Sequence, residues 1–84
     1  MFRLLDALVP ERGLILDLGC GHGLVAHWLA LGAAGRTVTG VDFDEEKLAV
    51  ARRACADPVR VRFETGDIRS WSGPAADAVL MGAV

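Results

Sequence analysis

Hydrophobic positions along the chain form short blocks separated by glycine-rich or charged segments. The apolar run at 14–18 is typical of a strand that lies inside a parallel sheet and is covered on both faces. The runs at 37–42 and 77–84 predict two further strands, the last as apolar as a central strand. In the run at 59–63 apolar residues alternate with arginines, which predicts a more exposed strand. Four strands are therefore expected.

Other blocks have helical spacing. The spacing predicts a short helix over 2–9 that stops at Pro10. It also predicts a second helix over 24–31 with one apolar face, on which Trp28, at helical spacing with Leu24 and Leu31, belongs to the core. A third helix begins at Asp44, a good N-cap residue, and ends at Asp57-Pro58. Its predicted buried stripe contains Leu48, Ala51, Ala54 and Cys55.

These elements follow one another as α-β-α-β-α-β-loop-β. Strands that alternate with helices require right-handed crossovers and a parallel sheet, so the sequence predicts an α/β fold. We expect Trp71 in the loop before the last strand either to fill the core or to line a pocket. Arg52, Arg53, Arg60 and Arg62 are expected to form a solvated face.

Composition narrows the range of functions. The chain has 84 residues, 52% of them hydrophobic, and a net charge of −2, which fits one small domain and disfavours a nucleic-acid surface held by charge. No apolar run is long enough to cross a membrane, and no signal peptide pattern is present. Two separate cysteines favour the cytoplasm. Cys20, His22 and His27 lack the spacing of a zinc site, so no metal is expected.

Glycines dominate the junction between the first strand and the second helix. Gly19, Gly21 and Gly23 follow the apolar run directly, and glycines at such a junction let backbone amides approach a ligand. The dinucleotide pattern G-x-G-x-x-G would need a glycine at 24, where this chain has Leu24. The second strand ends in an acid, Asp42, so the segment indicates a site for an adenine nucleoside.

Three carboxylates are expected at the same edge of the sheet. Asp17 lies at the end of the first strand, Asp42 at the end of the second and Asp67 just after the third. Such a cluster repels a pyrophosphate and attracts a cationic adenosine derivative. Gly66-Asp67 is also ordinary turn sequence, so a simple turn role for Asp67 stays open.

With these motifs the chain resembles the class I S-adenosylmethionine-dependent methyltransferases. LDLGCGHG at 16–23 is similar to their first motif, GVDFD at 40–44 to the second, TGDI at 65–68 to the third and DAVLMGAV at 77–84 to the fourth. The resemblance implies a Rossmann-like, three-layer α/β/α fold with a parallel sheet of four strands in the order 3-2-1-4. It also implies S-adenosylmethionine as the cofactor.

The resemblance assigns roles to individual residues. Gly19 and Gly21 would pass under the methionine part of the cofactor, Asp17 would orient its ammonium group, and Met81 or Gly82 would offer a backbone carbonyl near it. The full set of cofactor-binding residues implied is Asp17, Gly19, Cys20, Gly21, Gly23, Asp42, Phe43, Asp67, Ile68, Met81 and Gly82.

At the nucleoside end, Asp42 would accept from the ribose hydroxyls and Phe43 would lie against the adenine face. Asp67 would accept from the adenine amino group, and Ile68 would pack against the ring. No residue resembles a catalytic base, so the catalytic residues stay unknown.

The chain departs from the family in length, because a complete member continues well past the fourth motif. Residues 1–84 are therefore interpreted as the cofactor-binding domain of a methyltransferase, truncated after the fourth strand and inactive alone. We expect a small-molecule acceptor and a homo-oligomer formed through the exposed fourth strand. Two alternatives stay open: a fragment of an NAD(P)-binding oxidoreductase, and a non-catalytic module that binds the cofactor or a partner.

Overall fold

The computed structural model describes residues 8–69, 73 and 75–81. Most of the helix predicted over 2–9 lies outside these residues, as do Trp71 and Gly82. The elements are β1 (Arg12–Leu18), α1 (Leu24–Gly32), β2 (Gly35–Asp42), α2 (Glu45–Arg53), β3 (Val61–Thr65) and β4 (Ala78–Met81).

All neighbouring strands run parallel, in the order β3-β2-β1-β4, which confirms the predicted topology. Ile15 pairs with Val38, and Val38 pairs with Val61, so these side chains share one face of the sheet. The carboxyl ends of the strands meet at one edge, where Asp17 lies beside Gly40. The acidic residues Asp17, Asp42 and Asp67 were predicted to lie at this edge.

Both described helices pack on the same face of the sheet. The core between them and the sheet consists of Val9, Ile15, Ala26, Leu29, Ala30, Val38, Leu48, Ala51, Val61 and Phe63. On the opposite face Leu16, Leu18 and Val41 are buried, with Ile68 and Ala76 packed against them. The second helical layer of the expected three-layer arrangement is not among the described residues.

The prediction that Leu24 and Leu31 lie on the buried face of α1 is wrong. Leu24 and Leu31 are 66% and 86% exposed, and the helix instead contacts the sheet through Ala26, Leu29 and Ala30. At about 100° per residue these three lie on the side of the helix opposite Leu24 and Leu31. Small side chains on that side allow a close approach to the sheet.

Helix α2 begins as predicted but ends sooner. The Asp44 side chain accepts from the N–H groups of Glu46 and Lys47 at 3.1 and 3.3 Å, which confirms the N-cap. Leu48 and Ala51 are buried, whereas Ala54 is exposed because it is the C-cap, and Cys55 beyond it is half-buried.

The third strand begins two residues later than expected. Oδ1 of Asp57 accepts from the N–H groups of Val59 and Arg60, both at 3.2 Å, and its carbonyl accepts from Val61 at 3.0 Å. This side-chain turn holds Val59 outside the sheet, where it is 73% exposed.

Two arginines bind the carboxyl end of α1. Arg36, only 1% exposed, donates to the carbonyl oxygens of Leu29, Val9 and Pro10 at 2.7–3.1 Å. Arg60 donates to those of Ala30 and Ala33 at 2.7 and 2.8 Å. These cations complement the negative end of the helix dipole. The solvated role expected for Arg60 is therefore wrong.

Candidate cofactor-binding site

A glycine turn joins β1 to α1 at the carboxyl edge of the sheet. Gly19, Gly21 and Gly23 have φ of 79°, 55° and 83°, in the left-handed region that favours glycine. The N–H groups of Gly19 and Cys20 donate to the carbonyl of Val41 at 2.6 and 3.1 Å. These bonds fix the turn against the end of β2.

The glycines of this turn have different surroundings. A Cβ atom at Gly23 would lie 2.8 Å from the Phe63 ring and 2.9 Å from the Ala51 methyl group, so this glycine lets α1 pack against α2 and β3. A Cβ atom at Gly21 would meet no heavy atom within 4 Å. The turn is therefore open to a ligand at Gly21 and closed by packing at Gly23.

Asp42 connects the glycine turn to the start of α2. Its Oδ2 accepts from the N–H of Gly21 at 2.8 Å, and its Oδ1 accepts from that of Asp44 at 2.9 Å. Its backbone carbonyl accepts from Gly66 at 3.0 Å, just after β3. Each carboxylate oxygen keeps one lone pair for another donor. Asp42 is thus a fixed, 92% buried acceptor whose capacity is half used.

Asp17 lies under the glycine turn and is only 3% exposed. Its Oδ2 has no hydrogen-bond partner among the described residues. Burial, followed by the nearby charge of Asp42, raises the pKa of Asp17 to about 6. A buried carboxylate oxygen without a donor is costly, so this position favours a cationic or N–H-bearing ligand.

Cys20 occupies the middle of the same turn, half-buried. Burial, Asp17 and Asp42 raise the pKa of its thiol to about 12, so the thiol stays protonated at neutral pH. It donates weakly to the carbonyl of Gly21 at 3.8 Å. Cys20 therefore has the environment of a packing residue and not of a nucleophile.

A separate cleft of about 400 Å³ opens between the end of β2 and the segment after β3. We call it the Phe43 cleft; it is lined by Phe43, Asp67, Ile68 and Arg69. The Phe43 ring is 79% exposed, a large free apolar surface next to the buried Asp42. The fold thus brings three sequence-predicted residues together.

Arg69, which also lines this cleft, is not among the residues that the sequence predicted for the site. Its backbone and side chain both hydrogen-bond to Asp67, and these bonds hold the pKa of that carboxyl below its usual value. The sequence signal that could have predicted this pair is the spacing of two residues between the opposite charges of Asp67 and Arg69. Met81, at the end of β4, pairs with Leu18 beside the glycine turn.

Across the described ranges no helix is both long and apolar enough to cross a bilayer. Within the same ranges no three His, Cys, Asp or Glu side chains are grouped so as to hold a metal ion.

This geometry agrees with a family comparison. A family model described as a methyltransferase domain matches residues 15–84, which include the second half of β1, the glycine turn and all later elements. The chain belongs to the methyltransferase domain family. Its match with that family covers all three acidic residues at the carboxyl edge of the sheet.

Individual relatives support this membership. The chain is 38% identical over 80 residues to trans-aconitate 2-methyltransferase of Rhizobium meliloti, a match that covers 93% of this chain and 30% of the relative. The chain thus spans about a third of the length of such relatives.

Solved structures show the same fold. A S-adenosylmethionine-dependent methyltransferase from Mesorhizobium loti has a TM-score of 0.79 and 31% identity, over 94% of this chain and 38% of the other. One from Thiobacillus denitrificans, in complex with S-adenosyl-L-homocysteine, has a TM-score of 0.82 and 25% identity, over 99% of this chain and 36% of the other. The described part is therefore Rossmann-like, as the sequence predicted.

Proposed function

We propose that residues 1–84 form the cofactor-binding part of a S-adenosylmethionine-dependent methyltransferase. The observation that carries the proposal is the buried Oδ2 of Asp17, which has no partner among the described residues and lies beside a second carboxylate. A cationic ligand relieves both the missing hydrogen bond and the repulsion between Asp17 and Asp42. A pyrophosphate would make that repulsion worse.

The methionine end of the cofactor is assigned to the glycine turn. Asp17 accepts from its ammonium group, and the open approach at Gly21 lets the ligand lie against the backbone of Gly19 and Gly21. Cys20 and Gly23 support the shape of the turn. Met81 ends the strand that pairs with β1 at this end, and Met81 or Gly82 offers a backbone carbonyl to the methionine part.

The nucleoside end is assigned to Asp42 and the Phe43 cleft. The free lone pairs of Asp42 accept from the two ribose hydroxyls, and its bonds to Gly21 and Asp44 hold it in place for that role. Phe43 and Ile68 offer apolar surface to the adenine ring, and Asp67 accepts from its amino group.

When bound, S-adenosylmethionine supplies a methyl group that is already activated by the sulfonium. The chain's own residues therefore bind and orient, and a small-molecule acceptor is methylated by direct displacement. The similarity to trans-aconitate 2-methyltransferase supports a small acceptor. A cytoplasmic location is supported by free thiols at Cys20 and Cys55.

We also propose association of two chains through β4. This strand is at the edge of the described sheet, and Val79 and Met81 are 53% and 66% exposed. Light scattering should show a dimer that Val79→Lys dissociates. A monomer whose mass does not change with Val79→Lys would contradict the proposal.

Calorimetry tests the cofactor assignment. S-adenosylhomocysteine should bind more tightly than NAD, and Asp42→Ala should weaken its binding by about 1.5–3 kcal/mol, the scale of hydrogen bonds to a charged group. Asp17→Asn should weaken it as well, while Glu46→Gln removes an exposed charge on α2 and should not. Equal or tighter binding of NAD by the folded protein would overturn the proposal.

A further inference from the structure

Among the described residues the carboxylate of Asp67 is held by Arg69 alone. The backbone N–H of Arg69 donates to Oδ1 at 2.9 Å, its Nε donates to the same oxygen at 3.2 Å, and its Nη2 donates to Oδ2 at 3.1 Å. Each carboxylate oxygen accepts about two donors. With respect to the described residues, Oδ1 is therefore filled and Oδ2 keeps one open acceptor position.

The two side-chain bonds form a fork, in which a planar guanidinium binds both oxygens of one carboxylate. Such a fork fixes the plane of the carboxylate as well as its position. The bonds from Arg69 also favour the ionised form of Asp67 and so lower the pKa of that carboxyl. An ionised carboxylate accepts from an N–H group and repels a carbonyl oxygen in the same place.

Both residues line the Phe43 cleft together with the exposed Phe43 ring and Ile68. The cleft thus combines apolar surface for a flat ring with one fixed acceptor position. A base with an exocyclic amino group satisfies that position, whereas a base with a carbonyl there leaves it unsatisfied. The hydrogen bond lost with the carbonyl-bearing base makes the cleft specific for the amino-bearing base.

We propose that Arg69 is a positioning residue that makes this cleft select an amino-bearing purine over its carbonyl analogue, by fixing the free lone pair of Asp67. The inference rests on the proposed function, since it takes the purine to be that of the cofactor. Without the Arg69 side chain only the backbone bond to Oδ1 of Asp67 is left, so the plane of the carboxylate is no longer fixed and the selectivity of the cleft falls.

The size of the effect follows from exposure. The Arg69 side chain is 87% exposed and that of Asp67 is 47% exposed, so water competes with the pair. Exposed ion pairs contribute little, and we expect a change in selectivity of about two- to fivefold.

The experiment measures dissociation constants for S-adenosylhomocysteine and S-inosylhomocysteine, which differ at the amino group of the purine. Their ratio should fall by about two- to fivefold in Arg69→Ala and by less in Arg69→Lys, which keeps the charge but cannot form the fork. The matched control is Arg53→Ala, an exposed arginine on α2 outside the cleft, which should leave the ratio unchanged.

A purely structural role would weaken both ligands equally. An unchanged ratio in Arg69→Ala, with the wild-type protein still preferring S-adenosylhomocysteine, overturns this inference and leaves the proposed function standing. Failure of the folded wild-type protein to bind S-adenosylhomocysteine overturns both.

Discussion

The buried carboxylate of Asp17, whose Oδ2 has no partner among the described residues, should have a measurable effect on stability. Its pKa rises from 3.8 to about 6 in the folded chain, because the group is buried and faces Asp42. A shift of about 2 units corresponds to about 3 kcal/mol. Since the folded state binds the proton more tightly than the unfolded state, this stability is present at low pH and is lost as pH rises through 6.

The assay is chemical denaturation of wild-type protein and Asp17→Asn at several pH values. The difference in unfolding free energy between the two, wild-type minus variant, should fall by about 3 kcal/mol between about pH 3 and pH 7. The difference removes the titration of groups that do not interact with Asp17, and the cost of the buried amide, which does not depend on pH, cancels in the change of the difference with pH. A difference that does not change with pH, or that rises, would refute this assignment of strain to Asp17.

The same carboxylate should link ligand binding to pH. The ammonium of S-adenosylhomocysteine favours ionised Asp17, so its affinity should be about tenfold weaker at about pH 5 than at pH 7. Asp17→Asn should abolish most of this dependence. A pH-independent affinity in the wild-type protein would show that the ammonium does not bind Asp17.

Two further substitutions test the support of the site. Gly23→Ala places a methyl group against Phe63 and Ala51 at a residue with a positive φ. Thermal denaturation should therefore show that the free energy of unfolding falls by about 2–4 kcal/mol. A decrease below about 0.5 kcal/mol would mean that the packing at this position is loose. Arg60→Ala removes the bonds to the carboxyl end of α1 and should cost about 1–3 kcal/mol, compared with Arg53→Ala, which should cost almost nothing. Equal losses in the two arginine variants would contradict the capping role.

Local features of this fold could be predicted from the sequence. The buried strands, the glycine turn and the Asp44 cap depend on residues close together in the chain, and the strand order followed from the family resemblance. Features set by distant groups could not be predicted. Arg60 donates to a carbonyl oxygen 30 residues away in the chain, and no residue near Arg60 in the sequence indicates that contact.

In the candidate site, too, some features could be predicted from the sequence and others could not. The positions of Asp17, Asp42 and Asp67 at strand ends could be predicted, because strand ends in a parallel sheet share an edge. Which of them is bonded could not be predicted: Asp42 and Asp67 have donors, and Oδ2 of Asp17 has none among the described residues. That difference depends on three-dimensional packing.

Amide chemical shifts in a titration with S-adenosylhomocysteine test the central claim most directly. The largest shifts should occur at Gly21, Phe43 and Ile68, in the glycine turn and the Phe43 cleft. A larger cavity of about 480 Å³ between α2 and β3, lined in part by Cys55 and Val61, is the internal control. Shifts confined to that cavity, or no shifts at saturating ligand, would contradict the account.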